Sequence, residues 1–267
     1  MNDLQKAILN ILIDVDKVCR KHKINYFLDG GTALGAVRHG GFIPWDDDID
    51  IGMLREDYEK FLSIAQEELG DEYFIQTIET EKKYYQIFAK VRKNNTLFVE
   101  PPIRNLNIHK GIFIDIFPFD YLPKNNYEKY LQKVTDLISV LYKRGFPDLN
   151  EMPRNNIKYY IKNVLHRSLY YLRNLRSKDK ILNEINNIIQ AGREIEGEKL
   201  IASYAYADGK LAFDSAVIFP VREIKFEGYT FFIHNDPEKY LKMEYGDYMK
   251  LPDEKDRITH KPLKIKL

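Results

Sequence analysis

Between positions 46 and 50 the chain carries four carboxylates, Asp46, Asp47, Asp48 and Asp50, interrupted only by Ile49. In an extended segment the side chains at i and i+2 share a face. A strand here would therefore turn Asp46, Asp48 and Asp50 one way and send Ile49 and Ile51 into a core. Two steps of roughly 3.3 Å separate successive acids, close enough for the carboxylates to converge on one hard cation or on two neighbouring ones. Without a cation they repel one another. An acidic run is more often a solvated face, and Asp-x-Asp-x-Asp also opens a calcium loop. The alternating isoleucines argue against the first reading. Ile51, standing where a calcium loop needs glycine to turn, argues against the second.

Just upstream, Asp29-Gly30-Gly31-Thr32 precedes a short apolar stretch. Gly30 and Gly31 read either as a plain turn or as a place where backbone comes close to a ligand, and Thr32 can cap the helix that follows. The free N–H groups and positive end of such a helix attract phosphate, and the acids would hold the cation that bridges the same phosphate. Arg38 and His39 close that helix, where they either complement its dipole or contact substrate. Lys90 and Arg92, two apart on a strand, either neutralise a phosphate or are simply solvated. Asp115 lies inside the apolar run Ile112-Phe113-Ile114-Asp115-Ile116-Phe117. Burying it unpaired would be costly, so it must meet a cation or a hydrogen-bond donor. Asp120, two residues past Pro118, reads as a turn or cap.

The string Gly-Gly-Thr-Ala-Leu-Gly-Ala-Val-Arg-His-Gly-Gly-Phe-Ile-Pro-Trp-Asp-Asp-Asp-Ile-Asp from Gly30 to Asp50 resembles the LicD family of phosphorylcholine transferases, to which fukutin-related proteins are kin. A second block, His109-Lys110-Gly111-Ile112-Phe113-Ile114-Asp115-Ile116-Phe117-Pro118, and a third, Tyr245-Gly246-Asp247-Tyr248 with Leu251-Pro252, resemble the same family. The chain has His234 where the family is expected to carry proline. The resemblance implies a nucleotidyltransferase fold whose third carboxylate, here Asp115, lies on a later strand beside the first two. It implies magnesium or manganese on Asp48, Asp50 and Asp115, with Asp46 or Asp115 drawing the proton from the acceptor. The donor site falls on Gly30, Gly31, Thr32, Arg38, His39, Lys90 and Arg92. The reaction implied is transfer of a substituted phosphate, above all phosphocholine, from a CDP-linked donor to a sugar hydroxyl of a cell-surface glycan or its lipid-linked precursor. A true nucleotidyltransferase releasing pyrophosphate is the alternative, and a catalytically silent binding module of the same fold a third reading.

The elements that must position these groups follow from periodicity. Apolar residues at three-and-four spacing predict helices over 2–20, 55–69, 125–142 and 181–190, with a short one over 33–37. Aromatic and β-branched runs predict strands over 24–28, 74–78, 86–92 and 96–99, and a hairpin through Glu227-Gly228. Asp236, Pro237 and Gly246 mark the start and stop of a last helix. From 154 to 178 there is no acid, while lysines and arginines interleave with Tyr and Leu: a solvated face, or a basic amphipathic helix for anionic membrane or acceptor.

With 267 residues the chain can bury a proper core unaided. Its 41 basic and 40 acidic residues nearly cancel, so no global field points to nucleic acid. A single cysteine, Cys19, fits packing in a reducing compartment. No long apolar run is present, which predicts a cytoplasmic protein, with any membrane contact peripheral, at the inner face, through the basic helix. The fold expected is α/β: a nucleotidyltransferase-like mixed β-sheet core flanked by helices, with a helical insertion. The core with the metal site would take 1–122, the helical insertion 123–200, and a hairpin and helix completing the core 201–267.

Overall fold

Asn2 begins the chain's first helix with a reciprocal pair of hydrogen bonds, its side chain accepting from the Gln5 N–H while the Gln5 side chain accepts from its own. The fold is taken from a computed structural model that describes residues 1–145, 177–194, 196–204, 211–257 and 259–267, with isolated positions between 161 and 175. The basic stretch 154–178 lies outside the described residues except for Lys178 and a few isolated apolar or polar positions. Helix α1 (Asp3–His22) buries the stripe Ile8, Ile11, Leu12, Val15 and Cys19, and it packs beside α3 (Arg55–Leu69). The chain then enters β1 (Phe27–Leu28), α2 (Gly30–His39) and β2 (Asp50–Leu54).

Among the described residues a nine-stranded mixed sheet forms the middle layer. Its order runs β3 (Tyr73–Gln76), β4 (Ala89–Lys93), β6 (Phe113–Pro123), β2, β1, β10 (Tyr229–Ile233), β9 (Arg222–Phe226). The far end of β6 also pairs with β7 (Lys199–Ser203), which in turn pairs with β8 (Phe213–Asp214). A separate two-stranded sheet joins β5 (Leu97–Val99) to β11 (Lys264–Lys266). The long, almost wholly buried β6 is the spine, and the largest apolar cluster spreads from it to α1, α2 and α3. A second cluster lies where α4 (Tyr127–Gly145) and α5 (Lys178–Glu194) meet the Leu122 end of β6 and Leu200 of β7. The short α6 (Ser215–Ile218) precedes the β9–β10 hairpin, and α7 (Pro237–Tyr245) starts with Asp236 accepting from the Lys239 N–H and ends at Gly246.

Two expectations change. Strand β6 does not end at Pro118, and Asp120 neither caps nor turns: it lies inside the strand, 1% exposed, with two charge-assisted bonds of 3.0 and 2.6 Å from Arg55. Arg55 is the first residue of α3, so the ion pair clamps that helix to the sheet and makes the burial of Asp120 tolerable. The acid run is also less regular than expected. Residues 46–49 form no strand, and β2 begins only at Asp50. At one end of this run the Gln5 side-chain amide donates to the Asp46 carbonyl at 3.0 Å and the Asp46 N–H returns to the Ile43 carbonyl, while at the other the Ile49 carbonyl accepts the Asp115 N–H of β6 at 2.9 Å. Ile49 and Ile51 are nevertheless fully buried.

Candidate active site

Strands β2 and β6 run parallel, and their register sets Asp50 directly beside Asp115. On the other side of β6 the antiparallel β4 sets Lys90 beside Asp115. Cross-strand partners project to the same face, so Asp50, Asp115 and Lys90 form one row across three strands. The Lys90 ammonium lies 2.7 Å from Asp115 Oδ1 and donates to Oδ2 at 2.9 Å, and it sits 3.6 Å from the Phe113 ring centre. Both buried oxygens of Asp115 thus lie against the same ammonium.

The other acids close in from the loop. Burial first, then Asp48 and Asp115, hold the Asp50 carboxyl well above the ordinary carboxylate range. Burial and the neighbouring Asp48 push Asp46 up to about 8. Asp115 is pushed up to about 6, again chiefly by burial, with Lys90 pulling the other way. Four carboxyl groups that disfavour each other's ionisation are thus gathered close together, with a single ammonium against one of them. A divalent cation would supply the missing positive charge, and an all-oxygen donor set suits magnesium or manganese.

Helix α2 starts against this cluster. Gly30 has φ of 49°, the left-handed region glycine enters freely, and its N–H donates to the Tyr240 hydroxyl at 3.3 Å. That hydroxyl donates to buried Asp29 at 2.6 Å, and the His234 ring stacks on Tyr240 with centres 3.7 Å apart. A side-chain carbon placed on Gly31 would lie 3.4 Å from Asp46 Oδ2, so this glycine abuts the acids. Thr32 does not cap the helix. Asp29 occupies the cap position, and the Thr32 hydroxyl instead accepts the Asp50 N–H at 2.9 Å, tying the helix's first turn to β2.

The remaining expected donor contacts are dispersed. Arg38 and His39 stand at the far end of α2, about 12 Å along the helix axis from Gly30. Arg38 donates to the Tyr248 carbonyl at 2.7 Å and His39 is exposed. Neither Lys90 nor Arg92 is solvated: they are 3% and 1% exposed. Arg92 contacts Gln76, donates to the Gly111 carbonyl at 2.8 Å and lies 3.7 Å from Glu100.

One neighbour of the acids has no local signal in the sequence. His260, 213 residues from Asp47, donates its Nδ1–H to Asp47 Oδ1 at 2.9 Å, and its backbone N–H lies 3.2 Å from both Asp47 oxygens. Its Nδ1 is also 3.7 Å from Asp48 Oδ2. The bond to Asp47, with both nearby charges, pushes the imidazole up to about 9 against the opposing effect of burial.

Comparison with known proteins agrees with this geometry. Residues 23–159 match the family described as LicD/FKTN/FKRP, nucleotidyltransferase domain. The lipopolysaccharide cholinephosphotransferase LicD of Haemophilus influenzae is 30% identical over 262 residues, covering 97% of this chain and 95% of that protein. The mouse ribitol 5-phosphate transferase FKRP is 37% identical over 79 residues, which is 29% of this chain and 16% of that one. A family match spanning the glycine turn, the acid run and Asp115, with similarity along nearly the whole chain, establishes that this protein belongs to the LicD family.

Proposed function

We propose that this chain is a metal-dependent, LicD-like phosphotransferase that moves phosphocholine from a CDP-linked donor to a sugar hydroxyl of a cell-surface glycan or its lipid-linked precursor. The observation that carries phosphoryl transfer is the register of Asp50 with Asp115, which puts two acids side by side at the start of α2. The choice of phosphocholine and of a glycan follows the near-full-length likeness to a lipopolysaccharide cholinephosphotransferase.

In this reading Asp48, Asp50 and Asp115 would hold magnesium or manganese, which would supply positive charge against the donor phosphate during in-line transfer. The first turn of α2, opened by Gly30 and Gly31, directs backbone N–H groups to the donor phosphate. Thr32 keeps that turn and Asp50 in fixed relation. Lys90 holds Asp115 ionised and aimed. Asp46, raised towards neutrality and touching the glycine turn, accepts the proton of the attacking hydroxyl at a carboxylate oxygen. Arg38 and His39 would meet the donor beyond the phosphates. We also read the helices between 123 and 200 as an insertion that carries acceptor contacts, and the basic stretch 154–178 as its contact with an anionic, lipid-linked acceptor at the inner face of the membrane. Among the described residues no helix is long and apolar enough to cross a membrane.

The test is a donor screen with the full chain and magnesium, following release of cytidine monophosphate. CDP-choline with a glycan acceptor should give the monophosphate and a phosphocholine-bearing product. Pyrophosphate release from CTP, with no turnover of CDP-choline, would instead mark a true nucleotidyltransferase.

A further inference from the structure

Residue 257 and residues 259–266 lie along the acid-bearing loop as a strap, tied down at three places. The Arg257 guanidinium lies 4.3 Å from the centre of the Trp45 ring, one residue before the acids. His260 grips Asp47 through both its ring and its backbone N–H. Beyond it the Leu263 N–H donates to the Val99 carbonyl at 2.8 Å, and β11 pairs with β5. The loop itself has little structure of its own, since residues 46–49 belong to no helix or strand.

Three consecutive like charges on such a loop should spread, and a rotation by one residue would exchange the side chain aimed at Asp50 for its neighbour. A donor fixed on the middle acid prevents both. His260 holds Asp47 aside while Gln5 holds the Asp46 carbonyl from α1, and Asp48, between Asp47 and the fully buried Ile49, lies 3.7 Å from the same imidazole. We propose that His260, carried on this strap, is a positioning residue for the metal-binding carboxylates: by fixing Asp47 it fixes Asp48. The inference rests on the reading of Asp48, Asp50 and Asp115 as a metal site. The His260 ring also packs edge-on near Phe98 and Phe113, with centres 6.1 and 6.3 Å apart, so a purely structural role has to be separated from a positioning one.

Two substitutions separate them. His260→Phe keeps the ring and its packing but removes the Nδ1–H, whereas His260→Asn gives up the ring and places an amide N–H close to where Nδ1 stands. Manganese binding to the full chain is read by the loss of the free-ion electron paramagnetic resonance signal. The expected order is native protein first, His260→Asn close behind it, and His260→Phe weaker by about tenfold, the scale on which a group orienting a metal ligand acts. Phe binding as tightly as native, or Asn binding no better than Phe, would overturn the proposal. Should His260→Phe not fold, His260→Gln takes its place, because its amide reaches past the Nδ1 position; it should bind as weakly, and native-like binding by it would count against the proposal. Failure of the underlying metal reading looks different: the native protein would then take up no manganese at all.

Discussion

Asp50 and Asp115 are register partners on adjacent parallel strands, while the Lys90 ammonium stands 2.7 Å from Asp115 on its other side. The row pairs two carboxyl groups with one ammonium, and Asp46 and Asp48 crowd further carboxyl groups against Asp50 from the loop. Such an arrangement costs stability unless a cation joins it.

The first prediction follows from that imbalance. Asp48→Asn or Asp50→Asn removes a carboxyl from the crowded cluster and, in the proposed site, a metal ligand. Each variant should melt at least as high as the native protein in chelator and gain less from added magnesium. Its turnover should drop by roughly 100-fold or more. Asp47→Asn is the comparison: its amide oxygen still accepts from His260, so its turnover should fall far less. Thermal melts with and without metal, beside initial rates, decide it, and an Asp47 variant as inactive as Asp48→Asn would overturn the division of roles within the loop.

A second prediction concerns Lys90. Replacing it with methionine leaves Asp115 buried without its partner, which should destabilise the fold by about 3–5 kcal/mol in chemical denaturation. Adding Asp115→Asn to that variant removes the stranded charge, so the double variant should recover part of the loss. Additive losses would show that the two groups do not act as a pair.

The third concerns pH. Folded-state values of about 8 for Asp46, about 7 for Glu244 and about 9 for His260 all lie above their ordinary values. A raised value means that the folded protein holds protons the unfolded chain has released, so the stabilisation is present at low pH and is lost as pH rises through the folded-state value. The histidines with lowered values, His39, His109 and His234, oppose this only while the unfolded chain is still protonated at its ordinary value of 6.5. Between roughly pH 7 and 9 the metal-free protein should therefore lose stability, and magnesium should restore more of it at the upper end, where the carboxylates need no deprotonation to bind. Melting temperatures that stay level or rise over that window in chelator would contradict the electrostatic description of the site.

The fourth concerns the glycine turn. Gly31→Val brings methyl groups towards Asp46 Oδ2 and over the first turn of α2, so donor binding should fall while the circular dichroism of the fold is kept. Unchanged affinity for CDP-choline in the folded variant would reduce the turn to a structural role.

Local patterns in the sequence carried much of this arrangement. The bounds of α3 follow from its apolar spacing and the stop at Gly70, and Asp236, Pro237 and Gly246 bracket α7 through backbone preferences that act within one turn. The alternation of acids with Ile49 and Ile51 pointed to the right burial although residues 46–49 form no strand. What the sequence could not display are partners made by the fold itself: Arg55 with Asp120 across 65 residues, Lys90 with Asp115 across 25, and His260 with Asp47 across 213. Each joins residues on different elements, and nothing in the neighbourhood of either partner marks the other. Asp120 was misread for that reason, since its burial makes sense only once Arg55 is beside it.

Whether these carboxylates run metal-dependent transfer of phosphocholine is decided by cytidine monophosphate release from CDP-choline, measured for the native chain in magnesium and again in excess chelator. Release should occur in magnesium, stop in chelator and recover when manganese or magnesium is restored, and Asp50→Asn should give almost none under any of these conditions. Release that continues unchanged in chelator, or that survives in Asp50→Asn, would contradict that role for the carboxylates.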